Sequence, residues 1–293
     1  MIRSRFLYLS NFLRALRNAF RDIGSINQSM LRSEIESIFA QPRHRDPKCL
    51  IPFGAKVYSQ CDEDGILAEI FRRIGTTNKT FVEFGIGNGL ENNTLALLFD
   101  QWKGLWIEAS EESVKNIKTS FATVIHSGRL KIVESFITKD NVDRLISDNI
   151  PEREIDLLSV DVDGNDYYVL NAINSISPRV IVMEYNAKMR PPIWYCMDYN
   201  DSHAFGSNDC YGASLTFLES KLRERGYLLV SCNLSGANAF FVRSELVGDN
   251  FLEPYTAEHH YQPARFHLGC IVSGERASYD ALAKSLQCHA MRS

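Results

Sequence analysis

The segment Phe81-Val-Glu-Phe-Gly-Ile-Gly-Asn-Gly89 runs an apolar stretch directly into three glycines at alternate positions, and a helical pattern begins near Leu90. Glycine tolerates positive φ and leaves main-chain N–H groups open to a ligand because no Cβ stands in the way. Strand, tight turn and helix in this order open a βαβ unit. The following sequence repeats the alternation. Residues 80–85, 104–108, 130–134, 155–162 and 179–184 are apolar and β-branched or aromatic, as buried parallel strands require. Residues 90–102, 111–121, 139–149 and 167–176 carry helical patterns between them. Near the end, strand-like runs 227–234 and 238–243 are joined by only Ser235-Gly236-Ala237, too short a link for a crossover helix, so these two strands should be antiparallel. The expected fold is α/β: a Rossmann-like, doubly wound mixed sheet, mostly parallel with an antiparallel last strand, preceded by a helical extension.

The turn also limits its ligand. Its spacing is G-x-G-x-G, whereas the dinucleotide fingerprint is G-x-G-x-x-G. Glu83 stands two residues before the first glycine, where a carboxylate repels a pyrophosphate but attracts the ammonium of a methionine moiety. The next strand ends in Trp106-Ile-Glu108, about 20 residues past the turn, where an acid accepts hydrogen bonds from ribose hydroxyls. Together these features favour S-adenosylmethionine. A nicotinamide dinucleotide stays open as the alternative.

At these residues the chain resembles class I S-adenosylmethionine-dependent methyltransferases, and more narrowly the FkbM-like family. The narrower likeness rests on Tyr58-Ser-Gln-Cys-Asp-Glu-Asp-Gly65, Phe81 to Gly89, Gly104-Leu-Trp-Ile-Glu108 and Ile155-Asp-Leu-Leu-Ser-Val-Asp-Val-Asp-Gly-Asn-Asp166. Cys61 departs from the bulkier residue expected at its position. The resemblance implies Glu83, Gly85 and Gly87 around the methionine part, Glu108 on the ribose, Ser135 or Phe136 beside the adenine, and Gln60 closing over the cofactor. The likeness covers about the central two-thirds of the chain, and three regions are expected: a helical extension and linker (1–48), an S-adenosylmethionine-binding domain (49–247) and a C-terminal extension (248–293) that is a candidate cover for the active site.

Asp161-Val-Asp163-Gly-Asn-Asp166 closes the fourth strand, facing the crevice where open α/β sheets bind ligands. Carboxylates crowded there repel one another unless a cation or a proton intervenes. Glu184 ends the next strand, and hard oxygen ligands of this kind suit Mg²⁺ or another divalent cation. The strand resembles that of metal-dependent sugar O-methyltransferases. By that likeness Asp161 and Glu184 are metal ligands, Asp161 also borders the cofactor, and Asp163 is the base. The departure is Glu184-Tyr185, where those enzymes carry two adjacent acids. The competing reading makes Asp163 and Asp166 shapers of the turn and caps of the next helix, and it is preferred for Asp166. His203 is a second candidate base. Trp194, Tyr195 and Tyr211 lie in an irregular stretch suited to an acceptor or to the core, while His259, His260 and His267 have no metal-binding context.

Residues 1–21 contain five arginines and no acid. Ile2, Phe6, Leu9, Leu13, Leu16, Phe20 and Ile23 alternate spacings of four and three, one face of a helix, with a second helical stretch over 29–40 and a charged, proline-containing linker at 41–48. Three readings of that face stay open: packing on the body or on a second subunit as a homo-oligomer, a peripheral membrane contact, or an organelle-targeting peptide. Arg14 and Arg17 interrupt the stretch, which argues against a secretory signal. A net charge of −4 and a pI near 6.0 give no overall attraction to nucleic acid. Seven scattered cysteines without a C-x-x-C pair fit reduced thiols in a cytoplasmic protein. The expected function is O-methylation of a sugar or glycan-type acceptor. An oxidoreductase and a catalytically silent binding module remain as alternatives.

Overall fold

The computed structural model describes residues 2–203 and 209–268, and of residues 2–16, 19 and 20 it describes the backbone alone. The chain divides into two compact units, Met1–Arg45 and Asp46–Ser293. The first holds one helix, α1 (Ile2–Phe39), and a 3₁₀ turn at Pro42–His44. The expected break between two helical stretches is absent. Gly24 sits inside α1 with nothing near its Cα substituent, and an exposed helix-interior glycine costs only about 1 kcal/mol.

The second unit is built on a seven-stranded sheet. Its elements run α2 (Glu63–Ile74), β1 (Thr80–Phe84), α3 (Leu95–Leu98), β2 (Lys103–Glu108), α4 (Glu111–Ser120), α5 (Ala122–His126), β3 (Leu130–Glu134) and α6 (Val142–Ser147). There follow β4 (Glu154–Val160), α7 (Asp166–Ala172), β5 (Ser177–Glu184), α8 (Leu215–Glu224), β6 (Tyr227–Cys232) and β7 (Asn238–Arg243). The strand order is β3-β2-β1-β4-β5-β7-β6. Strands β1 to β5 pair in parallel, and β7 is antiparallel to both its neighbours. The fold is therefore Rossmann-like and mixed. The hairpin was legible, but the insertion of β7 between β5 and β6 was not, since spacing alone does not say which strand of a hairpin meets the sheet.

Alternation along each strand feeds two cores. Val82, Ile107, Leu158, Ile181, Met183 and Phe241 face one, and Phe81, Trp106, Leu157, Val182, Phe240 and Val242 face the other. Both faces are apolar because helices cover both, which is why the strands read as continuous apolar runs. At the edge where β1 begins, Asp156 accepts the N–H groups of Thr77, Asn78 and Lys79 and pairs with Arg179 at 2.9 Å, with both side chains buried.

Parallel strands end on one edge of a sheet. Residues that end or directly follow β1, β2, β3, β4 and β5, namely Gly85, Glu108, Ser135, Asp161 and Glu184, are thereby collected along a single line. Among the described residues no helix is long and apolar enough to cross a membrane.

Candidate functional site

The helix expected from Leu90 starts only at Leu95, because polar side chains take the N–H groups that would have opened it. Asn92 Oδ1 accepts from the backbone of Thr94 (3.3 Å) and Leu95 (2.8 Å). The Glu83 carboxylate accepts from Asn93 N at 2.8 Å, Thr94 N at 3.2 Å and Thr94 Oγ1 at 2.5 Å. Ser159 Oγ donates to the same carboxylate at 3.3 Å, while Trp106 Nε1 donates to Thr94 Oγ1 at 2.7 Å. Glu83 is thus turned inward, and its visible work is to hold residues 92–94 beneath the glycine turn. Sequence reasoning missed this network. Its signal was the run Glu91-Asn-Asn-Thr94, a set of capping residues where a helix had been expected to start.

The turn itself is open. Gly85 and Gly87 are exposed, with φ of 69° and 53°. A Cβ on Gly85 would lie 1.8 Å from the carbonyl oxygen of Asp161, so only glycine lets β1 leave the sheet so close to the end of β4. A Cβ on Gly87 would meet no atom within 4 Å and would project into open space. Glu108 reaches across to this turn: Gly87 N donates to its Oε2 at 2.8 Å, and Ser110 N to its Oε1 at 2.9 Å. Ser135 N donates to Glu108 O at 3.0 Å, and the following Phe136 ring is 53% exposed on that side of the strand end. Gln60 is exposed in a loop fixed by Asp64, whose Oδ2 accepts the N–H groups of Val57, Tyr58 and Ser59 at 2.6–2.7 Å. Lys56 bridges that loop to Glu91 at 3.2 Å.

On the other side of Gly85 lies the acidic recess. Val160 pairs with Met183, so Asp161 and Glu184 leave β4 and β5 side by side. Burial pushes the Asp161 carboxyl up, reinforced by Asp166, Asp163 and Glu83. Glu184 is raised by burial and then by Asp161, Asp166 and Asp163. Asp166 is also raised by burial, yet it accepts Val162 N and Gly164 N, both at 2.9 Å, which is the turn-shaping role favoured for it. Asp163 is exposed with φ 56°. Among the described residues no group of three or more His, Cys, Asp or Glu side chains is arranged to hold a metal ion. The two carboxylates that stand side by side, Asp161 and Glu184, are the residues that would hold a divalent cation, with water or acceptor oxygens completing its shell. A recess of this kind also suits an organic cation or shared protons.

The segment after β5 brings His203 onto the same turn. Asn165 Nδ2 donates to Asn200 O at 2.8 Å, Tyr168 Oη donates to Met197 O at 2.9 Å, and a Cβ on Gly164 would lie 2.7 Å from His203 Nε2. That Nε2 is buried and has no hydrogen-bond partner among the described residues. Trp194 is 56% exposed, Tyr195 half-buried and Tyr211 buried. A file of rings, each within 5.5 Å of the next, runs from Trp194 through Phe217 and Tyr167 to Tyr168 and Tyr199. His260 is buried and pushed down to about 3 by burial and by His259, which makes it a neutral core group. Residues 261–265 are tied to the β6–β7 turn, with Arg265 N donating to Ser235 O at 2.7 Å and Tyr185 Oη to Gln262 O at 2.6 Å. The remainder of the expected C-terminal cover, 269–293, lies outside the described residues.

Burial raises Glu83 from its usual value to about 7, which gives a pH prediction. A raised carboxyl binds its proton more tightly in the folded state, so its contribution is fully present below about pH 4.5 and is lost as pH rises through 7. The change is on the order of 3 kcal/mol. Urea unfolding should thus give lower stability at pH 8 than at pH 5, and Glu83→Gln should remove that part of the slope. An unchanged slope in the variant would disprove the assignment.

No family model matches the chain, and no curated protein matches it. Among solved structures it is similar to a candidate caffeoyl-CoA O-methyltransferase from Staphylococcus aureus, at 12% identity and TM-score 0.44 over 64% of this chain and 86% of that one. It is also similar to magnesium protoporphyrin IX methyltransferase from Synechocystis with bound S-adenosylmethionine, at 12% and 0.42 over 62% and 78%. A third is an S-adenosylmethionine-dependent methyltransferase from Thiobacillus denitrificans in complex with S-adenosyl-L-homocysteine, at 15% and 0.37 over 60% and 68%. Likeness this loose carries no argument about chemistry, which rests below on the chain's own residues.

Proposed function

We propose that the chain is an S-adenosylmethionine-dependent methyltransferase, related to the FkbM-like group, acting on a hydroxyl of a sugar or glycan-type acceptor. The single observation that carries the reading is the Glu108 carboxylate held over the open Gly87 turn at the end of β2, with the acidic recess of Asp161 and Glu184 beyond Gly85. The two flank one ligand. A carboxylate at the end of β2 accepts from ribose hydroxyls, and the crowded acids at the ends of β4 and β5, beyond β1, give up their protons most readily beside a positively charged sulfonium or ammonium. A dinucleotide would bring its pyrophosphate toward the same acids, which disfavours the oxidoreductase reading. The unpaired Nδ2 of Asn92, buried beneath the turn without a partner among the described residues, is a further donor for the methionine carboxylate.

The cofactor supplies an electrophilic methyl group. The protein's own part is to orient the acceptor and take its proton. His203 Nε2, unpartnered among the described residues and seated on the Gly164 turn, is placed to accept that proton, with Asp163 at the rim as the alternative base. The file of rings ending at exposed Trp194 offers apolar faces with polar edges, which suit a sugar ring.

A methyl-transfer screen over nucleotide sugars and oligosaccharides with labelled cofactor tests the acceptor class. Transfer only to non-carbohydrate acceptors would contradict it. With a working acceptor, His203→Asn should lower kcat by about 10²–10⁴-fold and leave cofactor affinity unchanged. A variant with wild-type kcat would move the proton to Asp163. Activity should survive EDTA, whereas loss restored by Mg²⁺ would assign the metal role to Asp161 and Glu184.

A further inference from the structure

The reading of the sheet edge leaves α1 unexplained. Its described portion exposes Ile23, Ile26 and Met30 at 63%, 60% and 67%, although large apolar side chains standing together in water need a partner. These three extend, at spacings of three and four, the apolar stripe that the sequence places at Ile2, Phe6, Leu9, Leu13, Leu16, Phe20 and Ile23. At about 100° per residue, Arg3, Arg14 and Arg21 fall together, more than about 100° from the centre of that stripe, and Arg17 lies on its flank at about 90°. Arg5 falls within the stripe, at the same angle as Ile23. Residues 1–21 carry five positive charges and no negative one, while the rest of the chain holds 27 basic against 36 acidic side chains, a formal −9.

We infer that α1 lies on an anionic membrane surface, its apolar stripe sunk among the acyl chains and its arginines toward the lipid headgroups. The charge separation decides between occupants. A second copy of the same helix in parallel register would set five arginines against five. An anionic bilayer meets the helix with the opposite sign and repels the acidic body, which fixes the orientation. A helix of low net apolarity with a cationic polar face and Leu and Phe on the other is built for the interface and not for spanning. At about 1.5 Å per residue the stripe from Ile2 to Met30 gives roughly 43 Å of contact length.

Flotation of the full chain with vesicles tests the inference independently of the cofactor reading, because it needs no catalysis. Phosphatidylcholine vesicles containing about a third phosphatidylglycerol should retain the protein, and pure phosphatidylcholine should not. Each arginine near an anionic surface contributes a factor of about five, so Arg17→Glu/Arg21→Glu should weaken partitioning by about 25-fold or more. Ile23→Asn/Ile26→Asn/Met30→Asn should abolish it. Both variants should keep the wild-type urea-unfolding transition, which shows that the body remains folded. Absence of wild-type partitioning, equal retention on neutral vesicles, or unchanged partitioning of either variant would overturn the inference. A concentration-dependent dimer by sedimentation that is lost in the apolar variant, with no lipid binding, would assign the stripe to a second copy instead.

Discussion

Gly85→Ala is expected to lower the free energy of unfolding by more than about 3 kcal/mol. Two costs add. The alanine must hold φ near 69°, a left-handed conformation costing roughly 1–2 kcal/mol for a residue with a Cβ. Its Cβ must also occupy a point 1.8 Å from the Asp161 carbonyl oxygen, and a backbone atom in β-sheet surroundings cannot rotate aside as a side chain can. β1 and β4 would have to separate at the edge where the site is assembled. Gly87→Ala is the control: its φ is similar, but no atom lies within 4 Å of the added carbon. It should fold with a loss of about 1 kcal/mol and lose ligand binding, since the new methyl projects into the open cradle. Chemical denaturation of both proteins checks the contrast. Equal stability of the two variants would mean that β1 does not leave the sheet as described.

Glu108→Ala should weaken S-adenosylmethionine binding about 100-fold. A carboxylate accepting two charge-assisted hydrogen bonds from a ribose diol contributes roughly 1.5 kcal/mol through each. The same substitution should hardly affect stability. Glu108 is half-buried, and water can replace it as acceptor for the N–H groups of Gly87 and Ser110. Glu108→Gln, which keeps one good acceptor, should fall between. Equilibrium dialysis with labelled cofactor separates the three proteins. Tight binding by the alanine variant would remove the ribose assignment.

What the sequence made legible was whatever depends on periodicity and on the φ demands of glycine. All seven strands, the positions of Gly85 and Gly87, and the collection of Glu108, Asp161 and Glu184 on one edge follow from apolar runs and parallel pairing. Where side chains compete with the backbone, the reading failed. The start of α3 was expected five residues early because helical spacing of apolar residues says nothing about Asn92 and Glu83 taking the N–H groups of residues 93–95. Glu83 was read as a ligand group because an acid before a glycine turn has the right charge, and no spacing announces that its carboxylate also holds Asn93 and Thr94, ten and eleven residues along the chain. His203 gained weight for the opposite reason. No pattern links it to Gly164, and contacts such as Asn165–Asn200 and Tyr168–Met197 bring the two together.

The central claim is that the edge defined by Gly87, Glu108 and Asp161 accepts a cationic nucleoside and not a dinucleotide. Calorimetric titration of the full chain with S-adenosylmethionine, and separately with NADH, addresses it most directly. The account predicts one-to-one binding of S-adenosylmethionine that is greatly weakened by Glu108→Ala, and no heat with NADH. Binding of NADH without S-adenosylmethionine, or cofactor binding indifferent to Glu108→Ala, would contradict it.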